Sequence, residues 1–183
     1  VYISRESPTF THLALSCSKG DKMDIAFQKA VELGVNAITP ILSEYCSVKR
    51  DRALDEKKML HWKKVLISSA EQCERNMVPE LYPITALSHF IEHHRSDIKW
   101  ILHPPSESSS ISPHHTQHTP SPPQSVCVLI GPEGGFSEAE VSAAIAFQFE
   151  KISLGPRILR TETAPTVILS IIQQRWGDYF GYI

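Results

Sequence analysis

Between Phe10 and Leu42 the chain passes from an alternating apolar segment to a helix signal and on to a second apolar segment, with almost nothing in between. Phe10 to Ser16 alternates apolar and polar residues, the period of a strand. Lys19-Gly20 turns the chain, Asp21 is placed to cap a helix with Asp24 in the capping-box region, and Gly34 stops that helix after Leu33. Met23, Ala26, Phe27, Ala30, Val31 and Leu33 give it one broad apolar side. Val35 to Leu42 then reads as a strand. Strands joined through a helix run parallel when they share a sheet, so this stretch points to an α/β architecture.

The rest of the chain repeats the alternation. Tyr45-Cys46-Ser47-Val48 reads as a short extended piece, followed by a long helix from about Asp51 to Asn76. Leu54, Trp62, Val65, Leu66, Ala70, Cys73 and Met77 supply its apolar side. Lys57, His61, Lys64, Glu71 and Arg75 occupy another side, either a solvated face with ion pairs or a contact surface. Pro79 and Pro83 bracket an extended connection, Ile84 to His93 reads as a short helix, and Ile98 to His103 as a strand ended by Pro104-Pro105. Then come a strand at Val126 to Ile130, a helix from Ser137 to Gln148, a strand at Lys151 to Leu154 and a last helix from Thr163 to Arg175, with Pro165 in its first turn. The expectation is five or six short parallel strands alternating with helices. The aromatic tail Trp176, Tyr179, Phe180 and Tyr182 needs a surface to bury against, in this domain or in a second subunit.

At 183 residues one full core is available. The net charge of −2 excludes a chain that holds nucleic acid as a polycation, so any such contact must be local or lie outside this stretch. Cys17, Cys46, Cys73 and Cys127 form no Cys-x-x-Cys pair and read as free thiols of a cytoplasmic protein. No apolar run is long enough to cross a bilayer, and no membrane partner is expected. Residues 106–125 are rich in Ser, Pro, His and Thr and read as a flexible loop. His114, His115 and His118 in that loop have no acidic or cysteine partner at ligand spacing, so no metal is expected.

The residues with chemistry to offer cluster after the Val126 strand. Gly131-Pro132-Glu133-Gly134-Gly135 leads into Ser137 and Glu140, a capping box. It lacks the glycine order of a dinucleotide site or a P-loop. Helix initiation accounts for much of it but not for Glu133, a carboxylate set between a proline and two glycines. A second turn, Leu154-Gly155-Pro156, carries Arg157, Arg160 and Glu162. These three form either a structural ion network or a site for an anionic or hydrogen-bonding substrate. No Ser-His-Asp, Cys-His, paired-carboxylate or metal-ligand pattern competes with them.

Leu129-Ile130-Gly131-Pro132-Glu133-Gly134-Gly135-Phe136-Ser137-x-x-Glu140 followed by Leu154-Gly155-Pro156-Arg157-Ile158-Leu159-Arg160-Thr161-Glu162-Thr163-Ala164 closely resembles the bacterial 16S ribosomal RNA uridine-N3 methyltransferases of the SPOUT superfamily. The similarity extends to Lys29 through Val35, Pro40, the segment from Ala70 to Pro79, and Leu102-His103-Pro104. It implies a SPOUT-type open parallel-sheet sandwich, residues 1–183, with a C-terminal trefoil knot. It also implies a homodimer acting on 16S ribosomal RNA or the small ribosomal subunit, and an N-terminal RNA-binding β-barrel that would precede this chain. S-adenosylmethionine would be bound by Leu102, His103, Gly131, Glu133, Gly134, Gly135, Leu154, Gly155, Ile158 and Leu159, leaving S-adenosylhomocysteine as product. Gln72, Arg75, Asn76 and Arg157 would surround the target base. Lys57 and Lys64, with Lys49, Arg50 and Arg52, would meet phosphates.

Arg75 or Arg160 would stabilise the anion developing on the base, and Glu133 or Glu162 would take its proton, the choice between the carboxylates remaining open. Two alternatives stand beside this reading: methylation of another RNA such as a tRNA, and a non-catalytic protein of RNA binding or ribosome assembly.

Overall fold

The computed structural model describes residues 4–47, 52–104 and 121–179, without the side chains of 52–54. Lys49, Arg50, the histidines at 114, 115 and 118, and the aromatics Phe180 and Tyr182 lie outside the described residues, as does the side chain of Arg52.

The elements follow one another as β1 (Phe10–Ser16), α1 (Lys22–Glu32), β2 (Ala37–Leu42), α2 (Arg52–Gln72), β3 (Glu80–Leu81), β4 (Thr85–Ala86), α3 (Leu87–His93), β5 (Ile98–Leu102), β6 (Ser125–Ile130), α4 (Glu138–Ala146), β7 (Glu150–Ile152) and α5 (Thr163–Trp176). The sheet runs β3-β2-β1-β6-β5-β7, and β4 also pairs with β2. Every pairing is parallel, as the β1-α1-β2 unit requires. The seven strands exceed the expected five or six because β3 and β4 are two-residue pieces that lie in line along the outer edge of β2.

The period-two pattern sorts the strand residues between two layers. Leu13, Leu15, Val126, Val128, Ile130 and Trp100 face α1, α2 and α5 in the larger core, with Phe27, Trp62, Leu66, Ile168 and Leu169. Ala14, Cys127, Leu129 and Ile101 face α3 and α4, with Phe90, Ile91, Val141 and Phe149. Because both faces are covered, β6 is apolar from Val126 to Ile130 without a break. Trp176 packs on Trp100 with ring centroids 5.6 Å apart, so part of the aromatic tail joins this domain's core. Burial raises the thiol pKa of Cys17 to about 12 and pushes that of Cys127 higher still, and all four cysteines are free.

Local chemistry departs from the sequence expectations at several ends. Asp21 precedes α1 but its carboxylate caps nothing, and Asp24 accepts from His61 Nε2 at 2.6 Å across to α2 instead of closing a capping box. Tyr45 lies in a turn and not in an extended piece, the Cys46 N–H donating back to the Ser43 carbonyl. The long helix ends at Gln72, short of Asn76, where Glu74 takes φ +57° and the Arg75 N–H returns to the Ala70 carbonyl. The expected helix from Ile84 begins only at Leu87, since Thr85 and Ala86 pair with β2. Within the segment expected to form a flexible loop, 121–124 are described and β6 begins at Ser125. The Gln124 and Ser125 N–H groups donate to the Asp97 carboxylate at 2.8 and 3.1 Å.

Candidate active site

In an open parallel sheet the strand ends that point the same way leave a crevice where successive connections depart to opposite sides. Here β1 leads by α1 to β2, whereas its neighbour β6 leads by α4 to β7 on the far side of β5. The carboxyl ends of β5, β6 and β7 and the start of α1 enclose a cleft of about 460 Å³, a volume in the range of small-molecule sites.

Three segments build its walls. After β6, the Gly135 N–H donates to the Pro132 carbonyl at 2.8 Å and closes a tight turn, for which Gly135 takes φ +73°. The turn is anchored by α4, where the Ser137 hydroxyl accepts from the Glu140 N–H and the Glu140 carboxylate from the Ser137 N–H. The other Glu140 oxygen accepts from the Glu44 N–H at 2.8 Å, tying this turn to the loop after β2. After β7, Gly155 at φ +94° bends the chain while its carbonyl accepts from the Ser153 hydroxyl at 3.1 Å. After β5, His103 donates its backbone N–H to Ile152 and, through Nδ1, a proton to the Pro104 carbonyl at 2.9 Å.

Nine of the ten residues expected to meet the cofactor line this cleft: Leu102, His103, Gly131, Glu133, Gly134, Gly135, Leu154, Ile158 and Leu159. Gly155 does not; it shapes the turn from outside. Arg157, Arg160 and Glu162 line the cleft as well. The Arg160 guanidinium is 86% exposed and stands 3.9 Å from Glu162, too far for a hydrogen bond, so the three charges do not form a closed structural network. Ile158 is 83% exposed, an apolar side chain offered to the cleft without a partner in the core.

The remaining expected residues are elsewhere in the chain. Gln72, Arg75, Asn76, Lys57 and Lys64 do not reach the cleft. Arg75, expected to take part in catalysis, has other partners within this chain. Its side chain is 4% exposed, Nε and Nη2 donate to Glu6, and Nη1 donates to the Val31 and Val35 carbonyls at 3.1 and 2.7 Å. Asn76 accepts from the Arg5 N–H at 2.8 Å. These two residues pin the stretch before β1 to the ends of α1 and α2. Lys57, Lys64 and Gln72 are exposed on α2.

Sequence reasoning missed Lys22. It stands in the first turn of α1, lines the cleft, and donates from Nζ to Glu133 at 2.6 Å. That contact holds the Glu133 carboxyl below the usual range and the Lys22 amine above its own. The available signal was topological: β1 and β6 are neighbours, so the helix start after β1 must face the turn after β6.

A doubly covered parallel sheet with a glycine-walled cleft at its carboxyl edge defines an α/β protein whose site takes a small organic ligand. A family model described as RNA methyltransferase domain matches residues 5–173, and the chain belongs to that family. It is 40% identical over 173 residues to a ribosomal RNA small subunit methyltransferase E from Buchnera aphidicola, covering 94% of this chain and 68% of that protein. It is 34% identical to the protein of the same name from Bacillus subtilis, covering 92% and 67%. Among solved structures, a methyltransferase of Legionella pneumophila in complex with S-adenosylmethionine superposes with a TM-score of 0.89 at 42% identity, over 97% of this chain and 71% of that one. A ribosomal RNA small subunit methyltransferase E from Neisseria gonorrhoeae bound to S-adenosylmethionine gives 0.84 at 37%, over 96% and 70%.

Proposed function

We propose that this chain transfers a methyl group from S-adenosylmethionine to a base of small-subunit ribosomal RNA, and that the atom methylated is N3 of a uridine. The observation that carries the reading is the cleft itself, where glycine turns, apolar side chains and a charged rim converge at one edge of the sheet. Leu102, Ile130, Leu154, Ile158 and Leu159 suit the flat adenine, while the Gly131–Gly135 backbone offers amides and carbonyls to its polar edges.

The reactive group that S-adenosylmethionine supplies is a methyl carbon already activated by sulfonium. What the protein must do is align that carbon with the attacking nitrogen and favour loss of the nitrogen's proton. A uracil N3–H ionises little at neutral pH, so a cation near O2 or O4 lowers the barrier. Arg160, exposed at the rim, is free to reach an incoming base.

A homodimer, a C-terminal knot, a preceding RNA-binding barrel and a cytoplasmic location belong to the same reading. In its favour, the chain spans 68% and 67% of the first two relatives' length, and β7 at the sheet edge is followed by a turn that brings α5 back against α1. No helix among the described residues is long and apolar enough to cross a membrane, and no cluster there could hold a metal ion. The test is calorimetric titration of S-adenosylmethionine and S-adenosylhomocysteine into the protein and into Ile158→Arg, a change at an exposed cleft position that costs the fold little. Saturable binding weakened at least about tenfold by the substitution, worth about 1.4 kcal/mol, supports the reading. A folded protein that binds neither compound overturns it in favour of a non-catalytic RNA-binding role.

A further inference from the structure

The crevice between the β1 and β6 connections holds five charged side chains, Arg157 among them, with unequal commitments. Lys22 and Glu133 face each other across it at 2.6 Å, one from α1 and one from the glycine turn, both about two-fifths exposed. Arg160 and Glu162 stand on the adjoining wall, close enough that both their charges act on Lys22. Glu162 immediately precedes α5, yet its carboxylate caps none of the helix's N–H groups. Its side chain is 18% exposed, and Oε2 is buried with no hydrogen-bond partner among the described residues. A buried carboxylate oxygen without a donor is costly, and its cost is relieved when a ligand brings an N–H to it. Glu133, by contrast, already has its cation.

We infer that Lys22 is a cation that meets a carbonyl oxygen of the target nucleobase, oriented by Glu133, while the Glu162 carboxylate turns its uncompensated oxygen into the cleft to receive the imide N–H. The inference rests on the methyl-transfer reading and assigns the two carboxylates different work. Glu133 is a positioning residue, since it acts through Lys22. Glu162 accepts the N3 proton and passes it to water as the nitrogen bonds to carbon. Lys22 offsets the negative charge that collects on the base oxygen meanwhile. The incoming methyl carbon leaves its bonding pair on sulfur, so charge and atoms balance with one proton released. The Lys22 hydrogen bond, the first cause of the lowered Glu133 pKa, makes that carboxylate a weak proton acceptor.

The test uses Lys22→Met, Lys22→Arg, Glu133→Gln and Glu162→Gln in the full protein. S-adenosylhomocysteine affinity is read by calorimetry, and methyl transfer with unmodified small ribosomal subunits at saturating S-adenosylmethionine. Lys22→Met and Glu162→Gln should keep S-adenosylhomocysteine affinity within about threefold and lose about 100-fold in transfer rate. Lys22→Arg should recover at least about tenfold of that loss, because it restores the charge. A readout independent of turnover is equilibrium binding of RNA carrying 5-fluorouridine at the target position, whose N3 proton is more acidic. The unaltered protein should prefer it increasingly as pH rises, and Lys22→Met should lose the preference. Transfer by Lys22→Met within about threefold of the unaltered rate overturns the inference alone. So does a tenfold loss of S-adenosylhomocysteine affinity, which would make Lys22 part of that compound's own site. Failure of the unaltered protein to bind S-adenosylhomocysteine overturns the inference together with the reading beneath it.

Discussion

Removing the Arg75 guanidinium separates a catalytic role from a structural one. Arg75→Met keeps the aliphatic stem and deletes the charged head, which leaves the Glu6 carboxylate without its guanidinium and the Val31 and Val35 carbonyls without their shared donor. Breaking a buried ion pair from one side costs about 3–5 kcal/mol. The loss here falls toward the lower end, because Glu6 Oε1 keeps the N–H groups of Asn76 and Met77 at 2.9 and 3.1 Å and its side chain is 15% exposed. A loss of about 3 kcal/mol is a large part of the roughly 5–15 kcal/mol that holds a domain together, and corresponds to a fall in Tm of about 6–12 °C at this size. Thermal and urea unfolding measure it. Glu6→Gln in the same background should recover part of the loss, since the neutral amide still accepts the two N–H groups without leaving an unpaired charge. Methyl transfer per folded molecule, assayed well below the lowered Tm, should stay within about threefold. An Arg75→Met protein with unchanged unfolding and abolished transfer would falsify the structural assignment and return Arg75 to the chemistry.

The histidines between the sheet and α3 predict acid lability. Burial first, and then the neighbouring charge of His94, lowers the His12 pKa to about 3, while burial and the cations of Lys99 and Arg95 lower that of His94 to about 4. Both folded values lie below the ordinary 6.5, so stability is full above that pH and declines below it as the unfolded chain takes up protons that the fold refuses. The expected loss between pH 6.5 and pH 5 is about 2–4 kcal/mol, and His12→Gln, which keeps a polar group beside Thr39, should flatten the slope of stability against pH; an unchanged slope refutes the assignment. At the glycine turn, Ser137→Ala should cost about 1 kcal/mol through the lost cap, measured by urea unfolding. Glu140→Ala should cost more than Ser137→Ala because Glu140 also holds the Glu44 N–H, and equal losses would show that this second bond contributes nothing.

How much of this was legible in the sequence depended on the range of the interaction. β1 matches its expected span from Phe10 to Ser16, and β6 falls one residue from its own, because their apolar patterns and flanking turns are local facts. The Ser137 capping box was equally local and forms with both of its hydrogen bonds. Asp21 carries the same kind of signal yet caps nothing, its backbone standing at φ −84°, ψ 1° where Ser137 has the extended geometry of a cap, and Asp24 is drawn to His61 on α2, 37 positions away. Arg75 is the extreme case. In the sequence it is one of several polar groups near a helix end, and nothing in that pattern distinguishes a guanidinium awaiting a nucleobase from one committed to Glu6 and to two carbonyls 44 and 40 positions away.

The candidate site divides along the same line. Its two glycine turns could be found because a chain that must bend sharply after a strand has to use residues that tolerate the bend, and Gly135 and Gly155 both sit at positive φ. The charged residues on the first turn and beyond the second could be found too, but not their partners, since pairing is decided by which strands lie side by side. Placing β6 next to β1 is what turns Glu133 from an isolated carboxylate into half of an ion pair with Lys22, and leaves Glu162 as the acidic residue of the cleft with a buried oxygen unspent. A sequence in which β6 paired elsewhere could carry both motifs unchanged and have different acid–base chemistry. In this fold the partner that Glu133 finds is therefore set by sheet order, a property that neither motif contains.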